Sequence, residues 1–82
     1  GKYVSQKNYP KTQTNFFIFY INGVKHKYNG GRVPKGFSKN IGKFYKIKYS
    51  TKYKGAIEPL IDQEITDTLA ILQAGFARKD IR

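Results

Sequence analysis

Phe16-Phe17-Ile18-Phe19-Tyr20-Ile21-Asn22-Gly23-Val24-Lys25-His26-Lys27-Tyr28 is the stretch that decides how this chain folds. Its six leading apolar residues fall far short of the ~20 needed to span a bilayer but suit a strand. Asn22-Gly23 then supplies two neighbouring positions where positive φ is cheap, as a two-residue type I′ hairpin turn requires. The register follows from the turn. Ile21 faces Val24, Phe19 faces His26 and Phe17 faces Tyr28, which makes one apolar face and the expected core. On the other face Tyr20 meets Lys25 and Ile18 meets Lys27, so that side is amphiphilic.

Working outward, residues 1–15 are polar, with Tyr3-Val4 as a short edge strand and a turn at Asn8-Tyr9-Pro10, where proline lacks a donor. Asn29 to Asn40 is a basic loop rich in Gly and Pro. Ile41 to Tyr49 alternates Tyr45, Ile47 and Tyr49 with Phe44, Lys46 and Lys48, the period of a strand buried on one side. Ser50 to Gly55 is a second basic turn, and Ala56 to Ile61 a short last strand interrupted by Pro59. The period then changes: Ile65, Leu69, Leu72 and Phe76 make a helical stripe over 63–74. Asp62 is the expected N-cap, Glu64 and Asp67 suit the helix's positive end, and Gly75 is the expected stop.

These pieces define one domain over 1–82: a polar edge segment (1–15), a β-rich basic core (16–61), a helix (62–76) and a tail (77–82). The expected fold class is α+β, a small antiparallel β-sheet or partly open barrel with one C-terminal helix packed on it. Phe17, Phe19, Ile21, Tyr28, Tyr45, Ile47, Leu69 and Leu72 are expected to share the core. At 82 residues that core is modest, and with no cysteine neither disulfides nor a thiolate zinc site can reinforce it.

Charge is unevenly placed. Residues 1–55 hold 13 Lys or Arg and no Asp or Glu, whereas residues 56–82 hold three cations and five acids, for a net +11. A long segment without carboxylates must turn its charge to water, to an anionic partner or to the acidic segment after it.

Catalytic chemistry has little to stand on. The single histidine, His26, falls on the apolar face and reads as structural. Glu64 and Asp67 sit at i, i+3, but helix-start electrostatics accounts for them as well as an acid–base pair would. Ser38 and Ser50 have no base at recognisable spacing. Residues 30–43 fail the phosphate-loop pattern, since Gly42-Lys43 lacks a glycine five positions earlier and precedes Phe44. No catalytic, metal or cofactor site is expected, and the chain reads as no enzyme.

What remains is binding. Tyr20, Lys25, Lys27, Phe44, Lys46 and Lys48 form a basic aromatic platform on the amphiphilic face, and Arg32, Lys35 and Lys39 in the loop are poised to hold phosphates. Equally, these lysines can solubilise sheet and guard its edges, with the aromatics meeting the helix. An acidic protein, an anionic lipid surface and nucleic acid all suit such a face; the identity of the partner and the oligomeric state stay open. No amphipathic basic helix is present, so membrane binding would need an anchor outside these residues.

Phe17-x-Phe19-x-Ile21-Asn22-Gly23, Tyr28, and Gly42-x-Phe44-Tyr45-x-Ile47-x-Tyr49-Ser50 together resemble a pattern in small membrane-anchored proteins of Bacteroidetes-type bacteria. That pattern runs YxVNGKxY … GxxYxVxYS. The resemblance covers residues 16–50 and implies a compact β-domain behind a transmembrane anchor upstream of Gly1, with no activity, ligand or site residue attached. Thr51-Lys52-Tyr53-Lys54 departs from the Asn-Pro turn of the pattern. The functional expectation is thus a non-catalytic binding or interaction domain, the soluble part of a membrane-associated protein, with single-stranded nucleic-acid binding as the alternative.

Overall fold

The computed structural model describes residues 1–50, 52 and 57–81. Five strands, β1 (Lys2–Asn8), β2 (Gln13–Ile21), β3 (Val24–Asn29), β4 (Phe44–Tyr49) and β5 (Ile57–Ile65), precede helix α1 (Thr68–Gln73). They form one antiparallel sheet in the order β3-β2-β1-β4-β5. Strands β1 to β3 are consecutive hairpins, and β4 returns by a longer connection to lie beside β1, which is a Greek key. The sheet curls but does not close into a barrel. Gly30, just past β3, lies so near β5 that an added Cβ would stand 2.7 Å from Pro59 Cγ.

The β2–β3 hairpin has the expected register, with Ile21 opposite Val24, Phe19 opposite His26 and Phe17 opposite Tyr28. Its turn places Asn22 at φ 51° and Gly23 at φ 78°, the positive pair of a type I′ turn. Asn8 to Thr12 also turn, closed by Tyr9 N–H donating to the Thr12 carbonyl at 2.8 Å.

Alternation sends aromatic side chains to both faces of the sheet, so there are two cores. Tyr3, Phe17 and Tyr45 fill the concave one, packed by Ile47, Ile57 and Phe37 from a short 3-10 helix, Phe37–Asn40. Tyr3 and Phe17 stack at 5.0 Å between ring centroids. Phe19 extends this core toward His26, Tyr28 and Tyr49. On the convex face Phe44, Ile71 and Phe76 form the second core with Ile18, Tyr20, Ile65 and Ile81 around them. The helix therefore covers part of the sheet, as expected.

Several expectations need correcting. β1 is the central strand and not an edge: Tyr3 and Asn15 tie it to β2, Lys2 pairs with Phe44 of β4, and Tyr3 bonds to the two residues just before β4, through Gly42 N–H and the Lys43 carbonyl. The last strand runs to Ile65, so Asp62 and Glu64 lie on β5 and Asp67 is the cap, its carboxylate accepting from Leu69 N–H at 3.1 Å. Pairing with β4 outweighs local helix preference up to that point. The helix is accordingly short, and Ile71 rather than Leu69 is its buried anchor; Leu69 is 62% exposed. Leu72, Ile21 and Tyr28 are only half-buried, and Val24 at the hairpin tip is exposed. Gly75 ends the helix at φ 108°, turning the chain so that Phe76 packs edge-on to Tyr20 at 5.0 Å. The basic turn expected at 50–55 and the start of the last strand at Ala56 fall largely outside the described residues.

Candidate anion-binding site

The convex face of β1–β3 is where the sequence places its platform. In β2 the side chains of Phe16, Ile18 and Tyr20 share that face, since Phe17 and Phe19 are turned inward and side chains alternate. Opposite them on β3 stand Lys25 and Lys27, both exposed. Lys27 Nζ lies 5.3 Å from the Phe16 ring centroid, and Lys2 Nζ lies 5.8 Å from that of Phe44. Such cation–π contacts orient an ammonium over a ring while leaving its outer side to solvent or ligand.

The structure divides the nine expected residues. Phe44 is buried under the helix, edge-on to Phe76 at 4.9 Å, and presents no stacking face. Tyr20 is half-buried against the same ring and serves packing. These aromatics meet the C-terminal segment, so the open platform they were expected to form is not there. Lys46 and Lys48 are exposed but lie on β4, across the sheet from Lys25 and Lys27. Arg32, Lys35 and Lys39 are exposed on the β3–β4 connection; the Arg32 guanidinium donates to the Lys11 carbonyl at 2.9 Å and so pins that connection to the β1–β2 turn. Phe16 was not among the expected residues, although the hairpin register already put it beside Ile18 and Tyr20. Lys7 joins it from β1, two positions beyond Ser5, the residue that pairs with Phe16.

Little of the positive charge is neutralised internally. Among the described residues, and leaving Lys52 aside, one ion pair forms, Lys43 Nζ to Glu64 at 3.8 Å, between partly exposed side chains. Asp67 is engaged by the helix start and Asp80 by Ala77 N–H at 2.9 Å. Burial raises the phenols of Tyr3 and Tyr45 above their ordinary value of 10.0, so neither contributes negative charge near neutrality. Among the described residues no group of His, Cys, Asp and Glu is placed to hold a metal ion.

No family model, curated protein or solved structure matches the chain. The likeness to Bacteroidetes-type membrane-anchored proteins is therefore withdrawn: the shared residues are those any hairpin with a type I′ turn and an alternating strand would need. With it goes the membrane-associated reading, and among the described residues no helix is long and apolar enough to cross a bilayer.

Proposed function

We propose that this domain is a non-catalytic binding module for a polyanion, and that its contact surface is the convex face of β1–β3 around Phe16, Lys7, Lys25 and Lys27. One observation carries the reading: 13 cations without a carboxylate in residues 1–55, against a single ion pair among the described residues outside Lys52. Single-stranded nucleic acid is the polyanion favoured, because Phe16 adds a ring beside the lysines, and base stacking on such a ring contributes about 1–3 kcal/mol. Five-stranded, partly open Greek-key barrels of the oligonucleotide-binding type use the strand 2–3 face in this way. That is an analogy of architecture, which assigns no function alone.

Titration of a labelled single-stranded oligonucleotide across salt tests it. Log affinity should fall linearly with log salt, at about −0.7 per phosphate neutralised. Phe16→Ala should weaken binding by about 1–3 kcal/mol at every salt concentration, while Lys25→Glu with Lys27→Glu should flatten the salt slope. No binding at low salt, or no effect of either variant, would sink the reading.

A further inference from the structure

Strand pairing lines up a second exposed ring, Tyr9, with Phe16. Gln6, Asn8, Gln13 and Asn15 are joined by side-chain hydrogen bonds, so all four occupy the concave face of the β1–β2 hairpin. Lys7 and its partner Thr14 therefore take the convex face with Phe16. Tyr9 N–H donates to the Thr12 carbonyl, which carries the ladder one step past the Asn8–Gln13 pair. Alternation then puts Tyr9 on the side of Lys7. It is 53% exposed, whereas Phe76 covers Tyr20 and Phe44. Pro10 follows it and stiffens the turn that carries the ring.

The same turn is where cations from two segments meet. The Arg32 guanidinium reaches from the β3–β4 connection to the Lys11 carbonyl at 2.9 Å, which takes one of its five N–H donors. On either side of Arg32 the connection is fastened to β2: Asn15 Nδ2 donates to the Gly31 carbonyl at 2.6 Å, and Val33 N–H to Gln13 Oε1 at 3.1 Å. The guanidinium is thus oriented while its remaining donors suit a phosphate fork. Lys7, Lys11 and Arg32 are all exposed, and residues 1–55 hold no carboxylate to pair with them.

Spacing links this turn to the convex face. Ser5 pairs with Phe16, and Tyr9 lies four residues further along β1, so at ~3.4 Å per residue the two rings stand about 14 Å apart along the strand. That distance equals about four rises of a stacked nucleic-acid strand. We propose that Tyr9, Lys11 and Arg32 form a second subsite for the same single strand. One base stacks on Tyr9, Arg32 and Lys11 hold the phosphates beside it, and the strand runs lengthwise past Lys7 to a second base on Phe16. The proposal rests on the polyanion reading and adds to it the ligand's course and its minimum length, about four nucleotides.

The test uses the 82-residue chain with octathymidylate, an abasic octamer of the same backbone, and dithymidylate, which is too short to span both rings. Tyr9→Ala should weaken octathymidylate about five- to a hundredfold, and Tyr9→Phe should bind it as the unaltered chain does. Neither variant should alter dithymidylate binding, followed by amide chemical shifts, which also registers that the fold is intact. On the abasic octamer Tyr9→Ala should change nothing, since no base remains to stack. Lys11→Gln with Arg32→Gln should flatten the octathymidylate salt slope by about 0.7 per cation removed. Octathymidylate affinity untouched by Tyr9→Ala, an equal loss on the abasic octamer, or an unchanged slope in the double variant would overturn the second subsite. If Phe16→Ala still weakens both oligonucleotides in that case, the polyanion reading stands without it. If Phe16→Ala is silent as well, or nothing binds at low salt, both fall.

Discussion

Asn15 is fully buried, and every hydrogen-bonding position of its amide is engaged. Its oxygen accepts from the Tyr3 hydroxyl at 2.6 Å and from Gln6 Nε2 at 2.9 Å; its nitrogen donates to Gln13 at 2.9 Å and to the Gly31 carbonyl at 2.6 Å. One side chain thus joins β1, β2 and the start of the β3–β4 connection. Removing it strands the Gly31 carbonyl and weakens the Tyr3 and Gln6 contacts, at about 1–3 kcal/mol for each group left unsatisfied. Asn15→Leu should therefore cost about 3 kcal/mol or more in urea unfolding. Tyr3→Phe keeps the ring stack and the Gln6–Asn15 bond, and should cost only about 1 kcal/mol. Equal costs for the two would contradict Asn15 as the hub. In the sequence Asn15 is one polar residue in a polar segment; only the strand pairing encloses it.

At the level of elements, the helix matters through two residues. Ile71 and Phe76 are 4% and 5% exposed over Phe44, whereas Leu69 turns to solvent. Phe76→Ala should cost about 3–5 kcal/mol, and Leu69→Ala within about 0.5 kcal/mol of nothing. Thermal unfolding followed by circular dichroism separates the two, and comparable losses would mean that the helix packs by the stripe Ile65, Leu69, Leu72 and Phe76 after all. That stripe was legible and misleading. Ile65 belongs to β5, opposite Phe44, and Phe76 follows the left-handed turn at Gly75, so neither lies on the helix whose period they fit.

Over the whole molecule, charge acts on stability and binding in opposite senses. A net +11 lies on a body with a radius of gyration of 12.5 Å, comparable to the Debye length of ~10 Å at 0.1 M salt. Self-repulsion in the folded state should therefore be screened by added salt. The melting temperature should rise by several degrees between about 10 mM and 300 mM sodium chloride, on the scale of ~4–8 °C per kcal/mol for a domain this small. A flat or falling profile would show that the lysines are compensated in the native state. Oligonucleotide affinity, in contrast, should fall over the same range.

By itself the sequence determined what depends on near neighbours along the chain. Asn22-Gly23 sets the turn, the turn sets the pairing of Phe17, Phe19 and Ile21 with Tyr28, His26 and Val24, and the alternation of Phe44 to Tyr49 marks a strand. The distribution of charge is equally a property of the chain. Tertiary structure alone decided what those faces meet. Seating β4 beside β1 made a polar-looking first segment the centre of the sheet. Folding Phe76 and Ile71 back over Phe44 and Tyr20 took two expected binding residues into a core and left Phe16 with Lys27 outside. Local patterns specify a strand's two faces, but which face is covered, and where a ladder runs out, depends on contacts between residues far apart in the chain.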